Sequence, residues 1–403
     1  MTVDEVGAAS GAAAAFVRLR DGHAGRADPR GRAVHHPDGD EDPGASAVQQ
    51  ALGAGGVRLA ALQADITGDN AGNGLSDPDP DDGGWDFTIP ANAKAHTAAA
   101  SPTNLFGAIG LGAWAAVDSG SARSPRVFVA ALDAETGIQR SADADSAPDF
   151  VFGVLLAALA DNPAFAQVAR KRYDAKRAAF GGAVGLGTAI RDARHAGHED
   201  GLIAYDLGWL TLGAAALDSA FPHAGYDADS GTYAGIVVDD LTSATPRFDF
   251  HDPTEGFYVT GLAWSQVASD WQGASALFDQ LRTQLLDQQH ADGTWGTNAA
   301  EPDDDLQATA HALQTMALTD HATPRSQQAA SRAASLLLRA QAASGGWPVA
   351  ANLELPLIDA DIMLGLLLTQ PDAITEAGLV PGTPLAGRAL ATGAHAVPAA
   401  PLP

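Results

Sequence analysis

The sequence predicts an all-α fold, an α/α toroid of about six helical hairpins interrupted by long acidic loops. Three observations carry this. Two Gln-x3-Gly-x-Trp turns recur 52 residues apart, Gln289 to Trp295 and Gln341 to Trp347. Six apolar, helix-like segments begin at residues 101, 147, 200, 252, 301 and 355. Amphipathic runs alternate with them, and a period near fifty residues marks a repeat architecture.

The apolar segments are the expected inner helices. They open with Pro or an acid, as in "SPTNLFGAIGLGAWAAV" from Ser101, "DPTEGFYVTGLAWSQVA" from Asp252 and "LPLIDADIMLGLLL" from Leu355. Proline fits the first turn of a helix, where its missing N–H leaves no bond unmade. Apolar residues surround these segments nearly completely, so they belong inside. The expected outer helices are 45–63, 165–180, 271–289 and 325–341, each with one polar face. Stretches 119–146 and 219–250 read as places where the outer helix is short or replaced by Gly- and Asp-rich chain such as "HAGYDADSGTYAG". Residues 1–43 read as an irregular segment, 44–372 as the toroid and 373–403 as an irregular tail.

Composition narrows function. The 403 residues carry 49 Asp and Glu against 23 Lys and Arg, a net charge of −26. Such a surface repels nucleic acid and anionic membrane. It suits a salt-rich cytoplasm or an extracytoplasmic setting, and both stay open. No apolar run reaches the roughly 20 residues of a membrane span, and "GAAAAFVRL" is too short and too acid-flanked for a signal peptide. There is no Cys, so disulfides, thiolate metal sites, thioesters and Cys nucleophiles are excluded.

The two Gln-x3-Gly-x-Trp turns resemble the Gln–Trp repeats of squalene–hopene cyclase and related triterpene cyclases. A third, interrupted version runs from Gln63 to Gly83-Gly84-Trp85. The resemblance implies the toroid that these cyclases share with protein prenyltransferases and some pectate lyases. It implies that each Gln caps an outer helix and ties neighbouring repeats together. It also directs attention to the cyclase acid motif, Asp-x-Asp-Asp-Thr-Ala at an inner-helix start. Two places compete. Asp79-Pro80-Asp81-Asp82 precedes a turn and reads as loop. "EPDDDLQATA" stands at an inner-helix start but begins with Glu301. Asp303, Asp304 and Asp305 are therefore the candidate proton donors, with His311 beside them as candidate acid or base. Their plainer reading is N-terminal helix acids stabilised by the dipole and a hydrogen-bonded core histidine.

Phe106, Tyr205, Trp209, Phe257, Tyr258 and Trp264 are candidate linings of a central cavity, or ordinary core. Asp252, Glu255, Asp359 and Asp361 stand near inner-helix ends, which in a toroid converge on one mouth. There they are candidates for ligand contact, for glycoside chemistry with a paired acid and base, or for helix capping. The loop "DITGDNAGNGLSDPDPDDGGWDF" alternates oxygen ligands with glycine. It is similar to a degenerate form of the short calcium loops of dockerins, with Asp69, Asn73, Asp77, Asp79 and Asp81 as metal candidates. Residues 36–44 and 226–231 carry the same reading. His195, His198 and Glu199 have ligand-like spacing without an evident third ligand. The expectation is a toroid that binds or converts an apolar or neutral small molecule, with Ca²⁺ as the one cofactor the residues suggest. Alternatives are a calcium-stabilised binding protein and a carbohydrate-active toroid.

Overall fold

The computed structural model describes residues 45–62, 85, 89–91, 93, 110–111, 113–114, 170, 173–197, 202–221, 224–241, 282–296, 305–318 and 323–369. The chain divides into two units, Met1–Glu41 and Asp42–Pro403, and every described residue lies in the second. Among the described residues there are seven long helices and only isolated β-bridges. The helices are α1 (Ala45–Leu62), α2 (Ala183–Ala196), α3 (Leu202–Ala220), α4 (Tyr226–Leu241), α5 (Leu306–Leu318), α6 (Pro324–Ala340) and α7 (Pro356–Leu368). Residues 173–179 and 282–287 are also helical.

Local sequence explains the ends. Thr323 caps α6, its hydroxyl accepting from the Ser326 N–H, and Pro324 takes the first helical position. Helix α6 buries Ser326, Ala329, Ala333, Ala334 and Leu337, a stripe three and four residues apart. It is an outer helix with one face in the core. Helix α7 is different. Of its thirteen residues only Leu357 escapes the buried class, as an inner helix requires.

Helix α4 corrects the sequence reading. The Gly- and Asp-rich stretch expected to be irregular is sixteen residues of helix. Gly231 and Gly235 each cost about 1 kcal/mol relative to Ala. The buried stripe Tyr226, Ser230, Tyr233, Ala234 and Val237 outweighs them by packing α4 against α3 and α2. Residues 226–231 are accordingly the first turns of a helix, not a calcium loop. Asp229 there accepts from Tyr173 Oη at 3.0 Å and pairs with Arg177 at 3.0 Å. Tyr173 Oη also lies 2.8 Å from Tyr233 Oη. Helix α2 had no counterpart in the expected layout. It buries Leu186, Gly187, Ile190 and Arg194 and stops at Gly197.

The two Gln–Trp turns share one hydrogen-bond scheme. Gln289 Nε2 donates to the Gly293 carbonyl at 3.0 Å and to Ala329 of α6 at 2.9 Å. Gln341 Nε2 donates to the Gly345 carbonyl at 2.7 Å and to Ala51 of α1 at 2.9 Å. Trp295 and Trp347 each donate from Nε1, at 2.7 Å, to Leu285 and Leu337. These leucines lie four residues before Gln289 and Gln341. Leu59 lies four before Gln63, and its carbonyl accepts from Trp85 Nε1 at 2.9 Å. The interrupted turn therefore seats its Trp on its own outer helix in the same way. Gly293 and Gly345 have φ of 101° and 97°, a region that favours glycine. Each also lies too close to the next helix for a side chain, Gly293 against Arg332 and Gly345 against Ala54.

The second stitch closes the ring. Gln289 joins one outer helix to the next in sequence, α6. Gln341 joins α6 to α1, the first described helix of the chain. Helix α1 also packs against α7. Arg58 of α1 donates to Glu354 through Nε at 2.8 Å and Nη2 at 2.9 Å, and through Nη1 to the Ala93 carbonyl. Ile89 and Glu354 exchange backbone bonds at 2.8 and 2.9 Å. Gln341→Ala should leave two part-buried carbonyls without their donor and cost about 1–3 kcal/mol. Urea unfolding followed by circular dichroism checks this, and a loss below a few tenths of a kcal/mol contradicts the stitch.

Candidate functional site

Inner helices α5 and α7 are successive copies offset by fifty residues, starting at Leu306 and Pro356. Position by position, Asp305 matches Leu355, Thr309 matches Asp359, and His311 matches Asp361. The helices pack on each other, and Gly365 lies against the Ala310 carbonyl and the Leu313 side chain. The polar residues at these matched positions form two buried clusters.

The first is built on Asp361. Its Oδ2 accepts from Gln307 Nε2 at 3.0 Å and lies 3.2 Å from His311 Nε2. Its backbone carbonyl accepts from Gln314 Nε2 at 2.8 Å. His311, Gln314 and Asp361 are fully buried, and Gln307 nearly so. Among the described residues, Asp361 Oδ1 and Gln314 Oε1 have no hydrogen-bond partner. A carboxyl and an imidazole thus meet between the two helices, away from water.

The second is built on Asp359. Two residues along a helix is a turn of about 200°, so Asp359 and Asp361 lie on nearly opposite faces of α7. Asp359 Oδ1 accepts from the Trp347 N–H at 2.7 Å, as Thr309 Oγ1 accepts from Trp295 N–H at 3.0 Å in the preceding repeat. Gly346 is held bare by Glu354 Oε1 and Asp359 Oδ2, which a Cβ there would overlap. Burial, then the adjacent Glu354 carboxylate, raises Asp359 well above the ordinary carboxylate pKa; the Trp347 amide and Arg58 pull the other way. Asp359 therefore keeps its proton to a higher pH than an ordinary carboxyl does, while Arg58 is paired with Glu354.

The remaining sequence candidates fall as follows. Asp305 is half-buried at the start of α5, its Oδ1 accepting from the Ala308 N–H at 2.9 Å, a helix cap. Asp303 and Asp304 lie outside the described residues. So do Phe106, Asp252, Glu255, Phe257, Tyr258 and Trp264, and the metal candidates Asp69, Asn73, Asp77, Asp79 and Asp81. The stretch 36–44, His198 and Glu199 also lie outside them. Tyr205 and Trp209 stand on α3, and His195 on the last turn of α2. Asp359 and Asp361, expected at one shared mouth, are instead fully buried on different faces of α7. Among the described residues no three His, Asp or Glu side chains are placed to hold a metal. Nor is any described helix long and apolar enough to cross a membrane. Sequence reading missed Gln307, Gln314, Glu354 and Arg58. Aligning the two copies at fifty residues would have exposed Gln307 and Gln314, because the matching positions in α7 are Leu357 and Leu364.

No protein-family description matches the chain, and no curated protein does. Solved structures do. A UGL variant with dGlcA-Glc-Rha-Glc is 14% identical over 85% of this chain and 99% of its own, with a TM-score of 0.50. An unsaturated glucuronyl hydrolase from Bacillus sp. GL1, responsible for the degradation of glycosaminoglycan, is 13% identical over 85% and 99%, with a TM-score of 0.49. A type II terpene cyclase from Scytonema, with geranylgeranyl dihydroxybenzoate as substrate, is 14% identical over 83% and 98%, with a TM-score of 0.45. The chain is an α/α toroid. At such identities the likeness establishes the fold alone.

The Asp359 pair makes the toroid's stability depend on pH with a definite sign. The folded pKa lies above the unfolded value of 3.8, so between the two the folded chain binds more protons. Stability therefore falls as pH rises from about 4 through the folded value, and levels above it. Asp359→Asn removes that titration while keeping an acceptor for Trp347 and a donor for Glu354. Denaturant unfolding from pH 4 to 9 should show a flatter profile in the variant, and parallel profiles contradict the assignment.

Proposed function

We propose that the toroid binds a neutral, largely apolar small molecule at its centre and that Asp361 with His311 performs acid–base chemistry on it. The observation that carries this is the fully buried Asp361–His311 contact between two inner helices, at 3.2 Å. Its setting is dry and mostly apolar: Ile358, Ile362, Leu366 and Leu313 are all buried on the same two helices. A carboxyl and an imidazole held together away from water are groups of the kind that general acid–base chemistry uses. The Gln–Trp turns support the same direction through their resemblance to triterpene cyclases, whose chemistry starts by protonation. Both groups are closed off in this structure, so a ligand must open a way to them. In the proton-donating form Asp361 carries the proton on Oδ1, because Oδ2 is already held by Gln307.

A second reading, acid–base chemistry on a carbohydrate, has one specific observation in its favour. Gln307 and Gln314 are neutral amides on the same wall, and amides suit sugar hydroxyls. Trp85, Trp114, Trp295 and Trp347 are buried, so none of these four offers an exposed platform for a sugar ring.

The test is turnover of an acyclic polyprene and of a neutral oligosaccharide, with products read by mass spectrometry, in the wild type and in Asp361→Asn. The isosteric variant keeps an acceptor for Gln307 and should melt within a few degrees of the wild type. Its turnover of the polyprene should fall by about a hundredfold or more. Equal rates in the two proteins, or an inert wild type on both substrates, contradict the reading. Turnover of the oligosaccharide alone moves the assignment to the second reading.

A further inference from the structure

Among the described residues, two acceptors in the Asp361 cluster have no donor. Asp361 Oδ1 and Gln314 Oε1 are both fully buried, and neither has a hydrogen-bond partner among them. Their sister atoms are occupied: Asp361 Oδ2 takes Gln307 Nε2 at 3.0 Å, and Gln314 Nε2 is spent on the Asp361 carbonyl at 2.8 Å. The second bond fixes the amide. Turning Gln314 over would set its oxygen against the Asp361 carbonyl, so its Oε1 stays an acceptor. Leaving a buried acceptor unmet is costly, and the matching position in α7 is simply Leu364. Gln314 is thus polar where the neighbouring copy is not.

We propose that Asp361 Oδ1 and Gln314 Oε1 form a subsite for a hydroxyl group of the ligand. This rests on the proposed function and narrows its substrate class to neutral molecules bearing an alcohol or phenol. A hydroxyl has one donor and two acceptor sites. It can donate to Gln314 Oε1 while accepting from Asp361 Oδ1 in the proton-donating form that the proposed function requires. An ammonium group offers donors only and cannot accept from that form. A carboxylate or diphosphate offers no donor to Gln314 Oε1 and is repelled by an ionised Asp361. The subsite selects against anionic ligands as well as against plain hydrocarbons.

The experiment compares binding of a polyprenyl alcohol with that of the matching hydrocarbon and the matching diphosphate, by quenching of intrinsic tryptophan fluorescence. In the wild type the alcohol should bind at least tenfold more tightly than either. A site built to hydrogen-bond a hydroxyl strongly rejects the analogue lacking it. In Gln314→Met, which keeps the volume but removes the acceptor, alcohol and hydrocarbon should bind within about twofold of each other. Equal wild-type affinities overturn the subsite while leaving the binding function intact, and so does a preference that survives Gln314→Met. Wild-type binding of none of the three overturns the proposed function together with the subsite. The wild-type comparison needs no variant, so a misfolded Gln314→Met does not rescue the proposal.

Discussion

The buried ion pair between Arg58 and Glu354 joins residues 296 positions apart, and the rest of the fold depends on what it joins. A repeat array stacks each unit only on its neighbours, so its ends are its weak points. Here the first described helix is pressed against the last described repeat. The pair is bidentate, with Glu354 fully buried and Arg58 nearly so. Such a pair is worth little as a gain over apolar packing, but removing one partner costs about 3–5 kcal/mol. It therefore specifies which surfaces meet more than it adds stability. The Gln341 bond to Ala51 makes the same junction with the chemistry that joins successive repeats. Closure is one more copy of the repeat contact, reinforced by a charge pair.

That junction also explains where the polar groups lie. Once α7 is held between α5 and α1, its two aspartates face different neighbours. Asp359 faces the Trp347 turn and the Arg58–Glu354 pair, and its role matches that of Thr309 in the preceding copy. Asp361 faces α5 and meets the residue at its own matched position, His311. Repetition puts equivalent positions of adjacent inner helices side by side. Two substitutions at one position of a repeat, His in one copy and Asp in the next, are enough to bring an imidazole and a carboxyl into contact.

Much of this was legible in residues. The Gln-x3-Gly-x-Trp frames located both turns and the stitch, because a glycine with positive φ and an indole with one donor leave few alternatives. The starts at residues 200, 301 and 355 located α3, α5 and α7 to within a few residues. The helical state of 226–241 was not legible. Its glycines and aspartates argue locally for loop, and only packing against α3 and α2 reverses that. The separation of Asp359 from Asp361 was legible in principle, since two residues on a helix diverge by about 200°. Grouping them by nearness to a helix end hid it. The Asp361–His311 contact needed the register between copies. His311 was singled out from its own helix and Asp361 from its own, and nothing in either segment says that they touch.

The most direct measurement of ring closure uses the absence of cysteine from the chain. Cysteines placed at exposed Val57 on α1 and exposed Arg339 on α6 take nitroxide labels with no background site, and pulsed electron spin resonance reads the distance between them. Packed neighbouring helices predict one narrow distribution, roughly 20–30 Å allowing for helix spacing, rise and label length. A broad distribution reaching beyond about 40 Å would mean that α1 and α6 are not held together, and would contradict the closed ring.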